Sequence, residues 1–114
     1  MMLLSIVKII LGSIPNVYIG SMPKSPDNVV GLYNTGGYPR GLTESKLRSP
    51  TFQVRVRSDS YADGIAVCDN IDELLHGYTG NDTLLIRNMG DINDIGRDKN
   101  DRPEFTMNYT AYFL

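Results

Sequence analysis

The sequence has no tryptophan, one cysteine (Cys68) and one histidine (His76). A lone cysteine excludes an internal disulfide framework and a cysteine-rich zinc site, and it fits a reducing compartment. A lone histidine gives little scope for catalysis. A general base needs a nucleophile and an orienting acid within hydrogen-bond reach, and no such set can be read from the chain. His76 falls at an expected helix end, where an imidazole would meet free carbonyls. A charge surplus is also lacking: Lys and Arg number 11 against 13 Asp and Glu, a net charge of −2. That argues against a chain-wide affinity for nucleic acid or an anionic membrane, while leaving room for a local basic patch. Asp91, Asp94, Asp98 and Asp101 recur every three or four residues without the spacing of a calcium loop. They read as solvated loop acids. No catalytic, cofactor or metal site is expected.

A long apolar run is missing as well. The most apolar stretch, residues 1–14, is interrupted by Lys8 and is shorter than the roughly 18–20 residues that cross a bilayer. A secretory signal would place its basic residues before the apolar run. Leu3, Leu4, Val7, Ile10, Leu11 and Ile14 follow helical spacing, so the stretch is expected to be a buried amphipathic helix. Gly12 and Pro15 should end it.

The remaining 100 or so residues are those of one domain with one core, a single unit over 1–114. Val17–Ile19 and Val29–Tyr33 are short strand candidates separated by a two-proline turn region, and they could pair. Residues 34–50, with three glycines and two prolines, read as a long exposed loop. Thr51–Arg57 alternates: Phe52, Val54 and Val56 face one way, Gln53, Arg55 and Arg57 the other. Ser60 can cap a helix whose first turn holds Asp63. Tyr61, Ile65, Cys68, Ile71, Leu74 and Leu75 form its apolar stripe, and Gly77 follows its end. Residues 83–89 are another strand candidate, and 90–102 are polar and turn-rich. Residues 103–114 alternate again. The expected fold is α+β: a mostly antiparallel sheet of four to five strands with two helices packed on one face.

Several segments together resemble a known family. Tyr18-Ile19-Gly20-Ser21-Met22-Pro23-Lys24-Ser25-Pro26-Asp27-Asn28, with Leu32-Tyr33-Asn34-Thr35-Gly36-Gly37 after it, is one. Gln53-Val54-Arg55-Val56-Arg57 followed by Ser60-Tyr61 is the second. Leu75-His76-Gly77 is the third, and Gly96-Arg97-Asp98 with Arg102-Pro103-Glu104-Phe105 the fourth. They are similar to the minor capsid or tail-terminator proteins of long-tailed phages and prophages of Gram-positive bacteria. Each motif is short; four in order over residues 17–114 carry the resemblance. It implies a structural virion protein, not an enzyme, at the head–tail junction and assembled in the host cytoplasm. It also implies a homohexameric ring on the last ring of tail tube protein. That ring would stop tail elongation and offer a docking surface to the head connector or stopper protein. DNA would pass through the ring without specific binding, and no membrane would be involved. A connector stopper or neck protein, or a small nucleic-acid-binding regulator, is the alternative.

With that resemblance in view, the charged residues become interface candidates. Arg55 and Arg57 share a strand face, and guanidinium groups suit bidentate contacts with a neighbour's carboxylates or with phosphates in a DNA channel. A solvated strand face is the plainer reading. Arg97, Asp98 and Arg102, with Lys99 and Asp101, crowd one hairpin that could join subunits through ion pairs or simply be a soluble turn. Arg40, Lys46 and Arg48 make the 34–50 loop locally basic against Glu44 and mark it as a contact arm.

Overall fold

The computed structural model describes residues 2–38, 48–79 and 84–113. The elements run α1 (Met2–Ile10), β1 (Val17–Ile19), β2 (Val29–Tyr38), β3 (Ser49–Arg57), α2 (Tyr61–Leu75), β4 (Leu84–Asn88), β5 (Asn93–Arg97) and β6 (Pro103–Phe113). The strands form one six-stranded sheet in the order β1-β2-β3-β6-β4, with β5 also on β6. The α+β class is as expected, with more strands than the four to five anticipated.

Alternation along β3 and β6 builds the core. Val56 lies opposite Val30 and Phe105, and Val54 opposite Leu32 and Met107, so one sheet face is apolar across three strands. Both helices contribute to that core: Leu3, Leu4, Val7 and Leu11 from the first helical segment, and Cys68, Ile71 and Leu75 from α2. Phe52 and Tyr109 stack inside it with ring centroids 5.4 Å apart.

Helix α2 is fixed by local chemistry at both ends. Asp63 N–H donates to the Ser60 hydroxyl at 3.2 Å, a cap of the kind typically worth about 1 kcal/mol. Past Leu75, Gly77 takes φ 77°, a left-handed conformation that releases the chain from the helix. Inside the helix Gly64 faces the Phe105 ring, which a Cβ would overlap. Glycine therefore lowers helix propensity here but lets α2 lie close on β6. The first helix is shorter than the 1–14 anticipated. After Ile10 the chain continues through turns, with Gly12 N–H bonded to Ile9 O at 3.1 Å and Asn16 at φ 59°.

Three other features come from strand pairing that local sequence patterns do not mark. First, β1 and β2 do pair, but in parallel, Val17 opposite Val30. Second, much of the anticipated 34–50 loop is strand. Asn34 pairs with Phe52, Gly37 with Pro50 and Tyr38 with Ser49, and the Gly36-Gly37 pair forms an irregularity in the ladder rather than a free turn. A side chain at Gly37 would meet the backbone of Pro50. Arg48 then bridges to Phe113 through two backbone hydrogen bonds of 3.1 and 2.9 Å. Residues 39–47, including Arg40 and Lys46, lie outside the described residues. Third, the turn-rich 90–102 stretch contains β5, five exposed residues whose strand partner among the described residues is β6.

The outer edge of β4 is not free. Gly77 N–H donates to Ile86 O at 2.8 Å, Ile86 N–H to Tyr78 O at 3.1 Å, and Asn88 N–H to the His76 imidazole Nδ1 at 3.0 Å. His76 thus accepts from a strand amide instead of meeting helix carbonyls. Deeper in, the Tyr109 hydroxyl donates to Asp72 Oδ1 at 2.8 Å, and Asn88 donates to the same oxygen. Burial, then the Asp72 hydrogen bond and charge, push the Tyr109 phenol well above its ordinary value. Burial, helped by Asp69, pushes the Cys68 thiol up to about 12, so it stays protonated and inert.

Candidate functional site: a cationic cleft on the open sheet face

The face of the sheet opposite the core carries a cleft of about 420 Å³. Its walls come from three places. Met22 and Lys24 belong to the two-proline segment after β1. Tyr33, Arg55, Arg57 and Glu104 come from β2, β3 and β6. Asp98, Lys99, Asn100 and Arg102 come from the hairpin between β5 and β6. Four of the eight sequence candidates, Arg55, Arg57, Asp98 and Arg102, therefore meet in one place. These are also the segments that carry the family resemblance.

Two arginines hold the cleft together. Arg57 is only 5% exposed. Its Nη2 donates to the carbonyls of Pro23 and Pro26, and its Nε to that of Asp27 at 3.2 Å. Arg57 does not project to solvent beside Arg55; it turns onto the backbone of its own chain. Arg102, 8% exposed, works from the other side. It donates to Lys24 O at 2.6 Å, contacts Asp27 Oδ1 at 3.2 Å and pairs with Asp98 Oδ2 at 2.8 Å. The backbone N–H groups of Arg102 and Asn100 also donate to Asp98 Oδ1, at 2.9 and 3.0 Å. Asp98 consequently sits below the usual carboxylate range, the Arg102 N–H first and its side chain next, against the opposing pull of burial. The Arg102 guanidinium is shifted upward, chiefly by its hydrogen bond to Asp98. Asn28 completes the anchorage, its Oδ1 accepting from Ser58 Oγ at 3.0 Å and Asp59 N–H at 3.1 Å.

Arg55 is different. Its guanidinium lies 5.5 Å from the Tyr33 ring centroid and reaches Gln53 Oε1 only at 3.5 Å. Its Nε is buried without a hydrogen-bond partner among the described residues. Lys24 and Lys99, both exposed, stand at the rim. The wall holds five cationic side chains and two acidic ones, and Asp98 is already committed to Arg102. The cleft can accept an anionic group, preferably a carboxylate or phosphate that a guanidinium can clasp.

The other candidates lie elsewhere. Arg97 does not line the cleft and pairs with Asp101 at 3.7 Å on the surface. Arg48 lines a separate depression with Gly36, Gly37 and Tyr38. Lys24 and Tyr33 were not among the candidates, although alternation along β2 and β3 places Tyr33 on the face of Arg55 and would have found it. Among the described residues no cluster of three or more His, Cys, Asp or Glu is placed to hold a metal ion, and no helix is long and apolar enough to cross a membrane.

No curated protein matches the chain. A family model does, that of the bacteriophage tail terminator protein, over residues 5–113. The match takes in most of α1, all of α2, every strand named above and all the segments that build the cleft. The family is one of structural phage proteins rather than a class of enzymes, and its members are components of the virion's tail. By that match over nearly its whole length, the chain belongs to the bacteriophage tail terminator family.

Proposed function

We propose that the protein caps the tail tube of a long-tailed phage, stops its elongation and forms part of the head–tail joining interface. The observation that carries this reading is the family match from residue 5 to residue 113. Copies of the chain would form a ring, with six subunits as the resemblance implies, assembled in the host cytoplasm. One side of the ring would meet the last tail tube subunits, the other the head connector or stopper, and DNA would pass through without specific binding. The charged residues take two kinds of part. Arg57, Asp98 and Arg102 hold the surface in shape through contacts within the chain. Arg55, with Arg48 and Arg97 and with Arg40 and Lys46 of the β2–β3 connection, offers cations to neighbours.

Deleting the gene from its phage or prophage and viewing lysates by electron microscopy tests the proposal. Overlong tubes beside tailless filled heads are expected. Tails of normal length would refute it; leaking or empty heads beside them would move the protein to the connector side.

A further inference from the structure

Charge is sorted by face in this molecule. The outward stripe of α2 carries Asp63, Asp69 and Glu73 between Ala62, Ala66 and Asn70, all exposed. The helix has no lysine or arginine at all. Asp69 and Glu73 stand four apart, a like-charge spacing that repels, and neither forms an ion pair among the described residues. On the far side of the sheet the sign is reversed. Lys24, Lys99 and Arg55 line the cleft, and the buried Nε of Arg55 lacks an acceptor among the described residues. β3 separates the two surfaces, because Val54 and Val56 point under the helices while Arg55 between them points to the other face.

We propose that the cationic cleft receives the acidic face of α2 from a second copy of this chain. The small side chains Ala62 and Ala66 let that helix approach a concave wall closely, while the carboxylates flanking them reach Arg55 and the two lysines. This rests on the ring reading above and names the surfaces that join its subunits. Two different surfaces meet, so the contact is head to tail and each copy keeps one surface free for the next. Repetition then closes a ring if the rotation permits. A DNA phosphate would satisfy Arg55 as well, but it would leave the α2 carboxylates without cations.

Charge reversal tests the contact at exposed positions that carry no packing. One variant has Lys24→Glu with Lys99→Glu, the other Asp69→Lys with Glu73→Lys. Association is followed by sedimentation velocity in low salt. The unaltered chain is expected to associate, less so as salt is added. Each variant alone should associate at least roughly tenfold more weakly, since like charges then face each other. Mixing the two variants should restore association, because each supplies the surface that the other has reversed.

Unaltered association of either variant overturns the proposal, as does a failure of the mixture to recover. A natural chain that stays monomeric at its highest soluble concentration overturns it too. Salt-dependent binding of a short DNA duplex that is lost on reversing Lys24 and Lys99, with association intact, would assign the cleft to a channel wall instead. These outcomes are independent of the deletion experiment. Intact association of the variants with overlong tubes in the deletion would sink the surface assignment alone. Charge-dependent association with tails of normal length would sink the tail-capping reading alone.

Discussion

Replacing Arg57 with methionine should loosen the two-proline segment without dismantling the sheet. Methionine retains a flexible apolar stem of similar length, so the change removes chiefly the guanidinium. Three hydrogen bonds are lost, to the carbonyls of Pro23, Pro26 and Asp27. Hydrogen bonds to a charged donor contribute about 1.5–3 kcal/mol each when the acceptor is left dry. Pro26 and Asp27 are exposed and Pro23 is half-buried, however, so most of the freed carbonyls regain water, and the net loss should be about 2–3 kcal/mol. For a chain of 114 residues that corresponds to a fall in Tm of roughly 8–12 °C. Circular dichroism measures the melting. Trypsin reports the locality, because Lys24 lies inside the released segment and its carbonyl is held by Arg102. Cleavage after Lys24 should accelerate well before global unfolding. A variant that melts within 2 °C of the natural protein and is cut at Lys24 no faster would refute the view that Arg57 anchors this segment.

Two further effects follow from the packing and the ion pairs. Gly64→Ala should destabilise by about 1–3 kcal/mol despite alanine's better helix propensity, because the new methyl group meets the Phe105 ring; urea unfolding that shows a gain in stability would mean α2 can lift off β6 freely. Asp98 has a folded-state pKa below its unfolded value, so its contribution is fully present above the ordinary carboxylate range and is lost as pH falls through the depressed value. Asp98→Asn should therefore lower stability at neutral pH and flatten the acid limb of a stability–pH curve, whereas parallel curves for the two proteins would assign the acid sensitivity to other groups.

What could be read from the sequence was whatever is encoded locally. Phe52, Val54 and Val56 alternate with polar residues because β3 has one wet and one dry face, and both the pairing and the burial follow that pattern. Ser60 and Asp63 mark the start of α2 because a cap needs only neighbours. The misread regions depend on partners elsewhere in the chain. All five residues of β5 are exposed, so no apolar periodicity marks them, and only the edge of β6 makes them a strand. Gly36 and Gly37 look like free loop until Gly37 pairs with Pro50. The cleft was half visible. Arg55, Arg57, Asp98 and Arg102 were singled out for their charge, but the division of labour between Arg55 and Arg57 was not. Two arginines at alternate positions of one strand look equivalent. They differ because the carbonyls that capture Arg57 belong to a segment 30 or more residues away.

The hydrogen bonds that His76, Gly77 and Tyr78 make with β4 bear on solubility. An unpaired strand edge invites another chain to add itself, and repeated addition leads to fibrous aggregates. Here the segment after α2 occupies that edge, so β4 has little left to offer a stranger. At the opposite margin β1 is three residues long, and on the β4 side of β6 the strand β5 is bulged and carries Asp94 and Arg97. A protein whose proposed task is to end one polymer is thereby kept from seeding another through its own sheet.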